Sequence, residues 1–322
     1  MSHLECILCK GTTINQLCDI SVSDLSKIYT AWLSHDISSE FDGLKSLSYV
    51  ECSHCGLRFF SPLITGSNRF YDLLIKTMGD HYYQNDKMEY QFASRFINDT
   101  DVVLDVGSGR GVFSKYIKGN YIGLDCNPTA LEQARPGGIK VVNDSIEDHV
   151  HKIATLYSVV TAFQVIEHVA EPGKFIQFCL EALRPGGLLI VSVPSEESFV
   201  SLQENAVLNM PPHHVSRWSD GSLLSLGKLF NLTLIALEHE KLAGIHYEPY
   251  ISLLSNITIR TLLKWDKGDM IDISLKKRIV DILSRFLKPL YRNVFRNNSL
   301  WPTGHSVTVI FRKQVSDETS QW

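Results

Sequence analysis

At 322 residues the chain has room for about two domains of ordinary size, and its 44% apolar content supports a packed core rather than disorder. With 31 basic against 35 acidic side chains the net charge is -4, which lacks the basic excess of a dedicated nucleic-acid binder. Met1–Lys10 shows no leader pattern, and the most apolar stretch, Leu188–Val193, is far short of the ~20 residues that span a bilayer, so a soluble, cytoplasmic protein is expected.

The chain begins with two C-x-x-C knuckles, Cys6-Ile-Leu-Cys9 and Cys52-Ser-His-Cys55. In a reducing compartment paired knuckles favour a metal over disulfides. Four thiolates close the tetrahedral sphere of one Zn²⁺ and leave no position for water, so the site reads as structural. His54 reads as an exposed loop residue, and Cys18, Cys126 and Cys179 as packing residues. Residues 1–61 are thus expected to form a small zinc-binding module, ended by Pro62 and Gly66. Residues 62–100 read as a helical bridge, aromatic from Asn68 to Ile97 and carrying His81, Tyr82 and Tyr83.

A βα alternation occupies 101–244. Apolar, β-branched runs at 101–106, 121–125, 139–143, 158–163 and 188–193 predict five strands, with helices opening at Val112 and Pro172. Leu232–Leu237 predicts a sixth strand. After an insertion at 245–304, Ser306–Phe311 predicts a seventh within a last segment, 305–322. The pattern is that of an α/β, doubly wound, seven-stranded sheet.

Gly107, Gly109 and Gly111 lie between the first strand and the helix after it, where glycines permit a sharp turn and close approach to a ligand. Asp125 ends the second strand, where a carboxylate can accept from both ribose hydroxyls. A nicotinamide-binding G-x-G-x-x-G would need glycine at position 112, and Val112 stands there. The string Val103-Leu-Asp-Val-Gly-Ser-Gly-Arg-Gly111 resembles the first motif of class I S-adenosylmethionine (AdoMet)-dependent methyltransferases. The resemblance extends to Asn143-Asp-Ser-Ile146, Phe163–Val169 and Leu183–Leu188. It implies a Rossmann-like fold and an AdoMet site. Asp105, Gly107, Gly109 and Gly111 would form the loop, Asp125 hold the ribose, Asp144 and Ile146 the adenine, and Gln164 would lie beside the cofactor.

Cys52–Pro62 resembles the zinc-ribbon-like module of methyltransferases that act on nucleotide-linked sugars. Quinone O-methyltransferases carry Glu-x-x-Glu-His after the fourth strand. Here Gln164 replaces the first acid, which argues against a metal at that place. The proline-aromatic motif of base-amino methylation is also missing.

Candidate acid–base groups are His214 and His213, in Met210-Pro-Pro-His-His-Val215, and Glu167 and His168 after the fourth strand. His214 is the favoured base, with His213 orienting substrate; Glu167-His168 reads either as catalytic or as support for the loop. Ser274–Arg296 predicts a basic amphipathic helix with Pro289 kinking or ending it. Two readings stay open for it: a cap helix packed on the catalytic domain, or contact with a membrane surface or an anionic substrate. The expected function is methyl transfer to a small acceptor, a nucleotide- or lipid-linked sugar or glycan precursor. RNA methylation and a degenerate AdoMet-binding module are the alternatives.

Overall fold

The computed structural model describes residues 4–79, 86–154 and 156–315. His81, Tyr82 and Tyr83 of the expected bridge lie outside the described residues. Strand β1 (Ile14–Ser21) follows the first knuckle and leads into helix α1 (Val22–Leu33). The Ser21 side chain caps that helix by accepting from the Asp24 N–H. β2 (Ser46–Cys52) enters the second knuckle and β3 (Arg58–Ser61) leaves it. Both pairings are antiparallel, and Ile14 sits opposite Cys52, so the knuckles share one end of this small sheet. At its other end Leu25, Tyr29, Phe41, Leu47 and Phe60 build a separate core.

α2 (Asn68–Met78) and α3 (Met88–Ser94) follow. Then come β4 (Val102–Val106), β5 (Asn120–Leu124), α4 (Pro128–Ala134), β6 (Val141–Val142), α5 (Ile146–Lys152), β7 (Tyr157–Phe163), α6 (Pro172–Ala182) and β8 (Leu183–Pro194). β9 (Ser216–Arg217), α7 (Asp220–Leu229), β10 (Leu232–Lys241), α8 (Tyr247–Leu262), α9 (Leu275–Val294) and β11 (Thr303–Lys313) complete the order. The seven-stranded sheet runs β10-β11-β8-β7-β4-β5-β6. Strands β4, β5, β6, β7 and β8 are parallel, and β11 enters antiparallel between β8 and β10 on its return from the insertion. Every residue of β7 is buried, as expected where helices cover both faces. Among the described residues no helix is long and apolar enough to cross a membrane.

Four local expectations change. The helix expected after the glycine loop is a 3₁₀ turn, Val112–Tyr116, because Gly119 already abuts the Asp101 carbonyl where the next strand starts. The third strand shrinks to Val141–Val142. The strand expected at 188–193 starts earlier, at Leu183, so that Arg184-Pro-Gly-Gly187 lies within β8, whose pairing with β7 slips between Tyr157 and Val159. Pro289 does not end α9; it lies on the exposed side, where water can reach the carbonyl that loses its partner.

β9 joins the N-terminal sheet rather than the large one, pairing with β3. The segment between β8 and β9 is therefore clamped from the N-terminal side. The Tyr29 hydroxyl donates to the carbonyls of Val207 (2.5 Å) and Met210 (3.0 Å). The Gly66 N–H donates to Pro212 and the Phe60 N–H to Val215. Arg58 and Arg217 both pair with Glu196.

Candidate active site

The carboxyl ends of β4, β5, β7 and β8 meet on one edge of the sheet. β10 and β8 are each antiparallel to β11, so the end of β10 and the start of β11 reach the same edge. A cavity of about 1160 Å³ opens there.

Its first end is made by the glycine loop and the tip of β5. Gly107, Gly109 and Gly111 all have positive φ, at 69°, 54° and 74°. A side chain at Gly107 would in addition bring its Cβ within 2.4 Å of a Val165 methyl, so glycine is required there twice over. Asp125 accepts from the Gly109 N–H and the Asn127 N–H, both at 2.8 Å, which fixes its carboxylate against the loop at the cavity wall. Burial pushes the Asp125 pKa up. A ribose-binding acid beside exposed loop backbone fits the AdoMet expectation.

Of the expected cofactor residues, Gly107, Gly109, Asp125 and Gln164 line the cavity. Four do not. Asp105 is buried behind the loop, where its carboxylate accepts from Tyr121 and Thr161, each at 2.7 Å. Burial lifts it to about 6. Its place is at the joint of β4, β5 and β7, holding the loop from below. Gly111 faces Ile139, Asp144 pairs with Lys152, and Ile146 is buried in the main core. Gln164 lines the cavity at φ 59°, an unusual backbone for a side chain of its size, and its amide donates to Glu89 (2.9 Å) and Ser306 (3.1 Å). Cys126 is exposed at the cavity wall and not a packing residue, because the chain turns outward directly after Asp125.

The second end gathers the two candidate acid–base pairs into one cluster. Glu167 and His168 follow β7, and His213 and His214 come from the clamped segment. The Val215 N–H donates to the Glu167 carbonyl at 2.8 Å, stitching the two segments together. Each imidazole gives its Nδ1–H to a protein oxygen: His168 to the His213 carbonyl (2.7 Å), His213 to the Leu208 carbonyl (2.8 Å) and His214 to Asn209 Oδ1 (3.2 Å). That assignment puts the lone pair of each ring on Nε2. Glu167 Oε1 lies 3.8 Å from His168 Nε2 and 4.0 Å from His214 Nε2. Neither Glu167 oxygen has a hydrogen-bond partner among the described residues. Burial raises Glu167 to about 8 and lowers His168 to about 4, with His213 and His214 pushed well below the usual imidazole value. Near neutrality the cluster is therefore three neutral imidazoles around a protonated carboxyl.

Residues 80–237, just under half of the chain, match a family profile described as a methyltransferase domain. The ubiquinone biosynthesis O-methyltransferase of Erwinia tasmaniensis is 28% identical over 164 residues, which cover 46% of this chain and 65% of that enzyme. The same-named enzyme of Proteus mirabilis is 29% identical over 191 residues, 53% of this chain and 76% of that one. The chain thus spans just under two thirds of the first of these relatives. Among solved structures, a SAM-dependent methyltransferase from Archaeoglobus fulgidus superposes with a TM-score of 0.47 at 16% identity, over 76% of this chain and all of that one. One from Mesorhizobium loti superposes with a TM-score of 0.44 at 14% identity, over 71% of this chain and all of that one. Fold and domain match the class I AdoMet-dependent methyltransferases.

The cavity also holds groups that the sequence did not single out. Glu89, buried, pairs with Lys87 at 3.3 Å and binds Ser192 and Gln164. Glu240, at the end of β10, accepts from the N–H groups of His305 (2.8 Å) and Ser306 (3.0 Å), and burial raises it to about 7. Extending the sixth strand a few residues beyond Leu237, and starting the seventh earlier than Ser306, would have brought Glu240 and His305 to the site edge. Lys87 and Glu89 sit in an aromatic stretch with no comparable signal.

Away from the cavity, the four knuckle cysteines converge. Cys6 Sγ lies 3.5 Å from Cys55 Sγ and Cys9 Sγ 3.5 Å from Cys52 Sγ, with all four sulfurs within 4.8 Å of one another. A tetrahedral zinc thiolate with bonds of ~2.3 Å needs sulfurs ~3.8 Å apart, so the group could hold a metal ion. His54 is exposed and stands outside it.

Proposed function

We propose that the chain transfers the methyl group of AdoMet to a hydroxyl of a small, polar acceptor of the sugar or glycan-precursor class. The observation that carries the reading is a single cavity with the glycine loop and Asp125 at one end and the Glu167–His168–His213–His214 cluster at the other. AdoMet supplies an electrophilic methyl when bound. Gly107, Gly109 and Asp125 would hold it. The chain's remaining work is to orient the acceptor, exclude water and take a proton. His214 is the base: its Nδ1–H is committed to Asn209, which leaves the Nε2 lone pair to accept the proton. Glu167, protonated, lies beside it. Asp72, Glu89, Glu240 and His305 on the wall suit a polyol better than a flat apolar ring.

A second reading is favoured by the ubiquinone-biosynthesis relatives, whose similarity would place a phenolic acceptor here. Methyl transfer from radiolabelled AdoMet to a panel of nucleotide-linked sugars and catechols separates the two. His214→Ala should lower turnover on the accepted substrate by ~10²–10⁴ while AdoMet affinity holds. Unchanged turnover would remove His214 from the mechanism.

The four-cysteine group is proposed to bind one structural Zn²⁺ through Cys6, Cys9, Cys52 and Cys55. Elemental analysis of reduced protein purified without added metal should find about one equivalent; none would refute the site. A cytoplasmic location belongs to the same reading.

A further inference from the structure

α9 carries one packed face and one exposed apolar face. The first packs on α8 and buries Lys277, Val280 and Ser284. The other faces solvent. Leu275, Ile282, Phe286 and Leu290 are 71, 54, 78 and 59% exposed, with Ile279 and Val294 on the same stripe. Their three- and four-residue spacing stacks them along one side of the helix. A contiguous exposed stripe of this kind is a contact surface more often than an ordinary monomer surface.

The charges beside it share one sign. Residues 274–296 contain seven Lys or Arg against Asp281 alone. Lys277 is engaged by Glu204 and Asp281, and Arg292 by Glu248. Arg278, Arg285, Lys288 and Arg296 form no ion pair among the described residues. A basic flank around an apolar stripe is complementary to a surface that is negative outside and apolar beneath.

We propose that α9 docks the protein on an anionic lipid bilayer, lying flat with Phe286 and its neighbours in the headgroup–acyl boundary. A second copy of the chain could meet the same spacing. It would then oppose two basic flanks, with Asp281, the one acid of the helix, already bound to Lys277. The carboxyl end of α9 is tied to the start of α8, two residues beyond Ile245 of the cavity wall. The Tyr247 hydroxyl donates to the Arg292 carbonyl, and Ile245, just ahead of α8, both lines the cavity and is half exposed. Docking would thereby hold the Ile245 side of the cavity near the lipid surface, where an acceptor carried on a lipid would be presented. That consequence rests on the methyl-transfer reading, whereas the docking does not.

The test is co-sedimentation of the full chain with vesicles of equal parts phosphatidylglycerol and phosphatidylcholine, and with phosphatidylcholine alone. The protein should bind the anionic vesicles, and added salt should weaken binding. Phe286→Glu should reduce the bound fraction ~tenfold or more, with AdoMet affinity and melting temperature unchanged. Should that variant not fold, Arg278→Glu with Arg285→Glu, both on the exposed flank, should give a loss of about the same size. Absence of wild-type protein from anionic vesicles, or equal binding by these variants, overturns the proposal. So does a dimer in sedimentation equilibrium that Phe286→Glu dissolves without any vesicle binding.

Discussion

The two ends of the cavity are built by different means. The glycine-loop end, proposed to hold AdoMet, is local: one loop, Gly107–Gly111, and one strand tip, Asp125, held by backbone hydrogen bonds and positive-φ glycines. The other end is assembled from distant segments. Glu167 and His168 come from the turn after β7, His213 and His214 from a segment pinned by Tyr29, Phe60 and Gly66 of the N-terminal region. A local site survives damage elsewhere in the molecule; an assembled one depends on every part that holds it.

The sharpest way to break this contrast is through the cysteines. Replacing Cys52 and Cys55 by Ser should release the sheet that grips the His213–His214 segment. Turnover should then fall by ~10² or more, with AdoMet affinity nearly kept. Calorimetry showing an equal loss of AdoMet binding would mean that the two ends are not separable.

The converse change is Asp125→Ala. It removes the acceptor of the Gly109 and Asn127 amides as well as the expected ribose partner. AdoMet affinity should weaken by ~1.5–3 kcal/mol, while turnover at saturating AdoMet changes less. A variant that binds AdoMet normally would remove Asp125 from the cofactor end.

Glu167 gives a pH test of the assembled end. Its folded value of about 8 lies above the ordinary 4.5, so the native state keeps a proton that the unfolded chain releases. This contribution to stability is fully present below pH 4.5 and is lost as pH rises through about 8. Urea unfolding of the wild type should therefore show stability declining across that window relative to Glu167→Gln. Parallel curves would mean that the carboxylate is ionised and has a partner.

The smallest effect is expected from Tyr29→Phe. It removes the hydroxyl that donates to Val207 and Met210 and should cost ~1 kcal/mol of stability. The acceptor KM should rise several-fold with AdoMet affinity unchanged. A change in AdoMet affinity instead would show that the N-terminal sheet reaches the cofactor end.

Residue types alone were enough for what depends on neighbouring backbone. The apolar runs of the sheet, the glycine loop with Asp125, and the C-x-x-C pairs could all be read along the chain, because strand burial, positive φ and knuckle geometry are local properties. The sequence also showed Glu167-His168 and His213-His214, but as separate candidates. Only the tertiary structure made them one cluster, since their meeting depends on β9 pairing with β3 and on the Val215–Glu167 hydrogen bond, neither of which leaves a periodic signal. It likewise moved Asp105 behind the loop, turned Cys126 outward, and brought Glu89, Glu240 and His305 to the site edge. α9 shows the same division. Its helical period was legible, but that the apolar stripe faces solvent while Lys277, Val280 and Ser284 are the covered residues was set by packing, because a helical period alone does not encode which side is covered.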